Sequence, residues 1–509
     1  MKNNGGVLID MVKNGSQANP KKYSVVIAGG GPTGLMLAAE LKLAGVEVAV
    51  IERRASQYID ESRAKGLHAR AVEVLDQRGI AERFISKGQQ YPAVGFGGIR
   101  LDITDFPTRH NYLLGLSQSK FEPILAHWVK ELGVAIKYDH EVVHFTQDDD
   151  GVDVELSDGQ VLRAGYLVGC DGGRSLVRKL AKIDFSGLNA SVSYIIAEVK
   201  LSERPAFGTR PEGGGIGPAP DGESVGVTLR EKVVKFGDSP SRDELREALI
   251  STYGTDYGLE SINWISRFSD ATKQAVSYRQ GRVLLAGDAA HIHPPQGGQG
   301  LGVGLQDAVN LGWKLAQVVK KTSPESLLDT YHAERHPVGA RILQNTRAQV
   351  VLSKPDGQHL ALREVMAELL AMNEPRKHIA GMLSGLDVRY NLGEGHPLLG
   401  RRMPDLDLQT ANGPIRLFSL LHDAKGLLLH FGEASEFDIS LWAGRVKLMN
   451  ATYEGTWELP VIGEITAPSA VLVRPDGYVA WVGRIPDSEL RQALTTWFGG
   501  AAPDTQSTR

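Results

Sequence analysis

Apolar and β-branched residues dominate the run from Tyr23 to Ala28 (YSVVIA), which suits a strand buried on both faces of a parallel sheet. Pro32 to Ala44 repeats apolar residues at helical spacing and Val46 to Ile51 is apolar again, so the segment reads strand, turn, helix, strand. Helices are predicted over Ala69 to Gln77 and Phe121 to Glu131, and a hairpin pairs Glu141 to Thr146 with Val152 to Leu156. A further buried strand, Tyr166 to Cys170, leads into a helix from about Arg174. From about Ile183 to Ala275 strand-like segments such as Val192 to Val199 and Ser224 to Leu229 alternate with Gly/Pro-rich loops. One helix interrupts them at the capping box Ser241-x-x-Glu244. Val283 to Ala286 restores the parallel pattern, followed by helices over Leu301 to Lys320 and Glu325 to Gln344. Past Gly395 come a strand at Gly426 to Phe431, a hairpin across Pro475-Asp476-Gly477 and a helix from about Ser488 to Phe498.

The 509 residues suggest roughly three domains. Residues 1–21 read as a flexible leader, because their one apolar stretch, Val7 to Val12, is broken by Asp10. With 42% hydrophobic and 23% charged residues, the rest has the composition of a packed globular chain. A net charge of −4 without a Lys/Arg run argues against nucleic acid as a partner, and no stretch approaches the ~20 apolar residues of a membrane span. A single cysteine, Cys170, excludes a disulfide framework and any multi-thiolate metal site, and suits a cytoplasmic setting.

Three segments carry chemistry. Gly29-Gly30-Gly31-Pro32-Thr33-Gly34 lies between strand and helix, where glycines let a diphosphate approach backbone N–H groups and the helix dipole. Glu52, at the end of the next strand, has the spacing of a carboxylate that accepts ribose hydroxyls, so an adenine dinucleotide is expected here. In Gly287-Asp288, directly after a buried strand, the carboxylate suits a sugar-like polyol such as a ribityl chain. The following loop, Pro294 to Gly302, has so few side chains that its N–H groups can approach a flat anionic ring. Asp171-Gly172, with Arg174 and Arg178 beyond it, ends a third strand in a carboxylate and possible phosphate donors. His291 and His293 sit two apart without a carboxylate cluster beyond Asp288, so no metal site is expected.

Together these segments resemble the three fingerprints of the flavoprotein aromatic hydroxylases over about residues 22 to 395. Arg63 to Arg70 (RAKGLHAR), Tyr331 to Pro337 (YHAERHP), Gly395 to Arg402 and Arg474 to Gly477 resemble a narrower group, the aromatic-polyketide hydroxylases and rifampicin monooxygenases. The resemblance implies an α/β architecture of the p-hydroxybenzoate hydroxylase fold. A Rossmann-like FAD-binding domain (22–182 and 276–395) would carry a β-sheet-rich substrate domain (183–275) and a thioredoxin-like C-terminal domain (396–509) that lacks Cys-x-x-Cys.

It further implies bound FAD, transient NADPH, and hydroxylation of a bulky aromatic or polyketide-type substrate through a flavin C4a-hydroperoxide, by a monomer or homodimer. FAD would contact Gly29, Gly31, Pro32, Thr33, Gly34, Glu52, Asp171, Asp288, Gly298, Gly300, Leu301 and Gly302, with Arg53 and Gln118 along its diphosphate. Arg63 would lie near the diphosphate or the nicotinamide, and Pro295 beside the ring. No side chain stands out as a catalytic base. The family usually carries Asn where this chain has Gly302, which keeps open a redox-neutral cyclase on the same scaffold. A binding protein that sequesters an aromatic antibiotic is the other rival. The glycine stretch Glu212 to Gly217 reads either as room for a polycyclic ligand or as a surface loop.

Overall fold

The computed structural model describes residues 22–59, 64–210, 214–219, 222–235, 239–354, 356–432, 437–485 and 488–500; the leader, Arg63 and residues 212 and 213 of the glycine stretch fall outside them. Lys22–Ala28 is the central strand of an eight-stranded sheet and is fully buried from Val25 to Ile27. On one side it pairs in parallel with Val48–Ile51 and on the other with Val161–Gly169, which pairs in parallel with Val283–Leu285. Their ends are level: Ile51 pairs with Ala28, Ala28 with Gly169, and Gly169 with Leu285. Loops following four neighbouring strands therefore emerge side by side at the carboxyl edge of the sheet, the general place for ligands in open α/β sheets. The helices Pro32–Leu43 and Gly300–Val319 pack against each other beside this edge. The predicted 141–156 hairpin hooks onto Val161–Gly169 as antiparallel strands.

The inserted region forms a separate antiparallel sheet in the order Gly208–Arg210, Gly214–Pro218, Val225–Arg230, Ser193–Leu201, Leu259–Ser269. One face is apolar (Ile195, Ala197, Val199, Val227, Leu229) and is covered by Leu245 and Leu249 of the helix Arg242–Tyr253. The predicted capping box closes that helix, with Ser241 and Glu244 bonding each other's backbone N–H. Phe185–Leu188, Thr272–Ala275 and His291–Ile292 pair as a stem joining this sheet to the main domain.

Two helical readings change. The expected 325–344 helix starts as a 3-10 turn and then runs from Asp329 to Leu352 through Pro337. Two further helices, Gly357–Leu370 and Asn373–Ser384, fill the stretch for which the apolar pattern predicted nothing. The first has mostly exposed residues, so burial imposed no clear periodicity on it.

In the C-terminal region the strand order is Val446–Ala451, Gly426–Phe431, Ala470–Val473, Val479–Gly483, with the first pair parallel and the others antiparallel. This is the sheet order of the thioredoxin fold. Between its first two strands the described residues hold only a 3-10 turn, Ser440–Trp442. The region has no separate core on one side: Leu428, Leu472, Trp497 and Phe498 belong to the apolar cluster of the main sheet. Trp313 packs on Trp497 and Phe498 with ring centroids 6.4 and 6.2 Å apart.

A buried ion network seals the contact. Arg474 donates to both carboxylate oxygens of Glu334 (2.6 and 2.8 Å) and to Asp476 (2.5 and 3.1 Å), while Lys314 Nζ donates to Glu334 at 2.9 Å. Removing one member of such a set strands the others, which typically costs about 3–5 kcal/mol. Arg474→Ala is expected to lose that much stability in urea unfolding followed by fluorescence. Burial raises the Glu334 carboxyl, but Arg474 and Lys314 outweigh it and hold it at about 2. A carboxyl lowered on folding stabilises at pH above its ordinary value of 4.5, and that contribution disappears as pH falls toward 2. The melting temperature should therefore fall less steeply over that interval in Glu334→Gln than in wild type.

Candidate cofactor and substrate site

The first loop turns at Gly29, where φ is +102° and a Cβ would lie 2.3 Å from the carbonyl oxygen of Cys170. A Cβ on Gly34 would lie 2.0 Å from the oxygen of Gly29, so the helix starts as close to the strand as backbone allows. Gly31 differs: a Cβ there would meet nothing within 4 Å. Neither backbone angle nor packing requires glycine at that position, and the opening lies at a helix N-terminus with Pro32 as its first residue. Thr33 reaches across to the Gly287 motif, since a Cβ on Gly287 or Gly304 would stand 2.6 or 2.3 Å from its Oγ1. The fingerprints are thus in contact in space.

Glu52 is buried at the end of its strand and accepts from Gly30 N–H (2.8 Å), Arg54 N–H (2.8 Å) and Arg54 Nε (2.9 Å). Burial pushes its carboxyl up, but the Arg54 and Gly30 bonds prevail and hold it below the usual carboxylate range. Asp171 accepts the Val177 N–H on Oδ2 at 3.1 Å, while its buried Oδ1 has no partner among the described residues. The helix that follows is capped by Ser175, which accepts from Arg178 N–H, so Asp171 keeps one oxygen free of helix capping. Asp288 is exposed on the turn Gly287–Ala289.

Two of the expected donors are bonded within the protein. Gln118 donates to the fully buried Glu122 at 3.0 Å. Arg178 spends its guanidinium on the carbonyls of Ala289 (2.8 Å) and Gly173 (3.0 Å), tying two motif loops together. Arg53 is exposed, and it is Arg54 that bridges Glu52 and Glu122.

The loop from Pro294 turns tightly, with Gly298 N–H bonding Pro295 O at 3.0 Å, and enters the helix Gly300–Val319. Pro295 and Gly298 are exposed, and Gly300 and Leu301 are partly buried. From behind, His68 Nε2 lies 2.6 Å from Gly297 O. Burial lowers the His68 pKa, which makes the neutral ring the form at pH 7, with Nε2–H as the donor to that carbonyl. Gln299 donates to Met382 O and Leu383 O, both at 3.1 Å. A Cβ on Gly302 would come within 3.2 Å of Ala71 Cβ, so the missing Asn side chain corresponds to a close approach of the helix Ala69–Asp76.

The strongest restraint on these loops was not predicted. Asp307, fully buried one to two turns into the helix, accepts from Gly287 N–H (3.1 Å), His291 Nε2 (2.7 Å) and Arg335 Nε (2.7 Å). A signal existed: Asp307, Asn310 and Lys314 place polar groups at i, i+3 and i+7 in a mostly apolar helix, a buried polar stripe that demands partners.

A family model described as an FAD binding domain matches residues 22–346, and one described as the C-terminal part of aromatic-ring hydroxylases matches 396–501. The chain belongs to the FAD-dependent aromatic-ring hydroxylases. A 12-dehydrotetracycline 5-monooxygenase/anhydrotetracycline 6-monooxygenase of Streptomyces rimosus is 43% identical over 512 residues, covering 94% of this chain and all of the relative. The anhydrotetracycline hydroxylase OxyS of the same species superposes with a TM-score of 0.89 at 42% identity, over 94% of this chain and 100% of that one. A Diels–Alderase, PyrE3 of pyrroindomycin biosynthesis, matches with a TM-score of 0.80 at 36% identity over the same shares. FAD fits the hydroxylase site described above, given the unfilled cradle at Gly31 and the orphaned Asp171 Oδ1 on adjacent loops.

Gly31→Val is expected to leave the stability of the FAD-free protein within about 0.5 kcal/mol of wild type. It should raise the Kd for FAD more than tenfold by fluorescence titration. Gly34→Val, with no room for its Cβ, should lower the melting temperature itself. Asp307→Ala should cost about 3–5 kcal/mol and release FAD on gel filtration.

Proposed function

We propose that this hydroxylase uses NADPH and O₂ to place one hydroxyl on a large phenolic or polyketide-type aromatic. FAD, when bound, would supply the redox chemistry by which O₂ is activated for transfer of one oxygen atom, the other leaving as water. The chain's own part is to hold, orient and exclude. The open backbone at Gly31 and the helix behind Pro32 face the diphosphate, with Arg53 and Arg63 along it. Glu52, whose carboxylate already takes four hydrogen bonds from Gly30 and Arg54, would accept a ribose hydroxyl in exchange for one of the Arg54 bonds, and Asp171 Oδ1 with Asp288 would accept from the ribityl chain. The backbone from Pro295 to Gly302 faces the ring, where N–H groups and a helix N-terminus favour negative charge. Gln118 and Arg178, bonded to Glu122 and to backbone carbonyls, serve as positioning groups.

The observation that carries this reading is the level ending of four adjacent strands in the fingerprint loops. A polyketide-type substrate is supported by what the tetracycline-modifying relatives act on and by an open cavity beside the inserted sheet. The cyclase rival, which PyrE3 keeps in view, is met by the higher identity of the tetracycline-modifying monooxygenase relatives.

The purified protein should show a flavin spectrum bleached by NADPH under argon. In air, a polycyclic phenol should accelerate NADPH oxidation and gain one oxygen by mass spectrometry. Cyclisation of a polyene substrate without NADPH consumption or mass gain would contradict the hydroxylase reading.

A further inference from the structure

Two glycines of the inserted sheet have no reason internal to the protein. Gly217 and Gly226 stand directly opposite each other on neighbouring antiparallel strands. Neither has a left-handed backbone angle. A Cβ on Gly217 would meet nothing within 4 Å, and one on Gly226 would meet only Gly217 O, at 3.8 Å, an ordinary contact. Glycine inside a strand weakens it and often marks the close approach of a ligand or another backbone.

The face they occupy is defined by register. Ile196 pairs with Thr228, which pairs with Gly215, so these residues share the face of Gly217 and Gly226, opposite the face covered by the helix Arg242–Tyr253. This face lines a cavity of about 350 Å³. Among the described residues that line it, Lys65 alone is charged. Lys65 is three residues before His68, which bonds Gly297 O in the loop assigned to the flavin ring.

Two adjacent strands lie about 4.8 Å apart and alternate residues about 7 Å apart, so the bare patch has the footprint of about two fused rings. Building on the hydroxylase reading, we propose that Gly217 and Gly226 are specificity-determining residues. Their exposed peptide planes receive the flat face of a fused aromatic ring system, while Lys65 pairs with an ionised phenolic or enolic oxygen at its edge. A branched side chain at either glycine lifts a fused ring off the sheet and leaves room for a single ring.

The test uses FAD-loaded wild type, Gly217→Val, Gly226→Val and Lys65→Met, with 1,8-dihydroxyanthraquinone and resorcinol as probes in isothermal titration calorimetry. Each valine variant should raise the Kd for the anthraquinone at least tenfold and that for resorcinol less than threefold, with FAD content and melting temperature as in wild type. Lys65→Met should weaken anthraquinone binding more at pH 8 than at pH 6, because the ionised probe gains most from the cation. Equal losses for both probes in the valine variants, or wild-type binding of resorcinol as tight as that of the anthraquinone, would overturn the proposal. Calorimetry reads binding without turnover. A wild type that binds selectively yet never oxidises NADPH would refute the hydroxylase reading and still support the glycine floor.

Discussion

A buried carboxylate without partners is too costly to keep, and Asp307 is buried completely. Its three bonds fix the Gly287 turn, the His291 strand and the Arg335 helix around one point. Because Thr33 fills the gap between Gly287 and Gly304, that point also sets the distance between the Gly29 and Gly287 fingerprints. The site is therefore held by charge pairing below the sheet edge, and the loops above it can be nearly bare backbone. Bare backbone is what a large, hydrogen-bonding cofactor needs to approach closely.

The same long helix, Asp329–Leu352, carries this restraint outward. Arg335 points to Asp307, while the preceding Glu334 points to Arg474 in the C-terminal region. Adjacent residues on a helix diverge by about 100°, so one turn of helix serves two partners on different sides. The C-terminal region, without a cysteine of its own, thereby buttresses the helix that holds Asp307.

Strands and glycine turns were legible because burial on both faces writes a continuous apolar run, and a turn that admits a diphosphate writes glycine. Gly29 to Gly34, Glu52, Asp171 and Asp288 could be placed on adjacent strand ends for that reason. That Arg54 pairs with Glu52 and Glu122 was not legible, since sequence order says nothing about which of two neighbouring arginines turns inward. Gln118 and Arg178 have donors that suit a phosphate and equally suit Glu122 or a carbonyl, and only tertiary contact decides. The helix Gly357–Leu370 escaped notice because little of it is buried. Asp307 was visible as a polar stripe in an apolar helix, but its partners lie on distant segments.

The most direct measurement is a crystal structure of the protein with FAD bound. It should place a diphosphate oxygen within hydrogen-bond reach of Gly31 N–H, a cofactor hydroxyl on Asp171 Oδ1, and the isoalloxazine against Pro295 to Gly302. A cofactor lodged elsewhere, with Asp171 Oδ1 still unpartnered and the cradle at Gly31 still empty, would contradict the convergence on which the function depends.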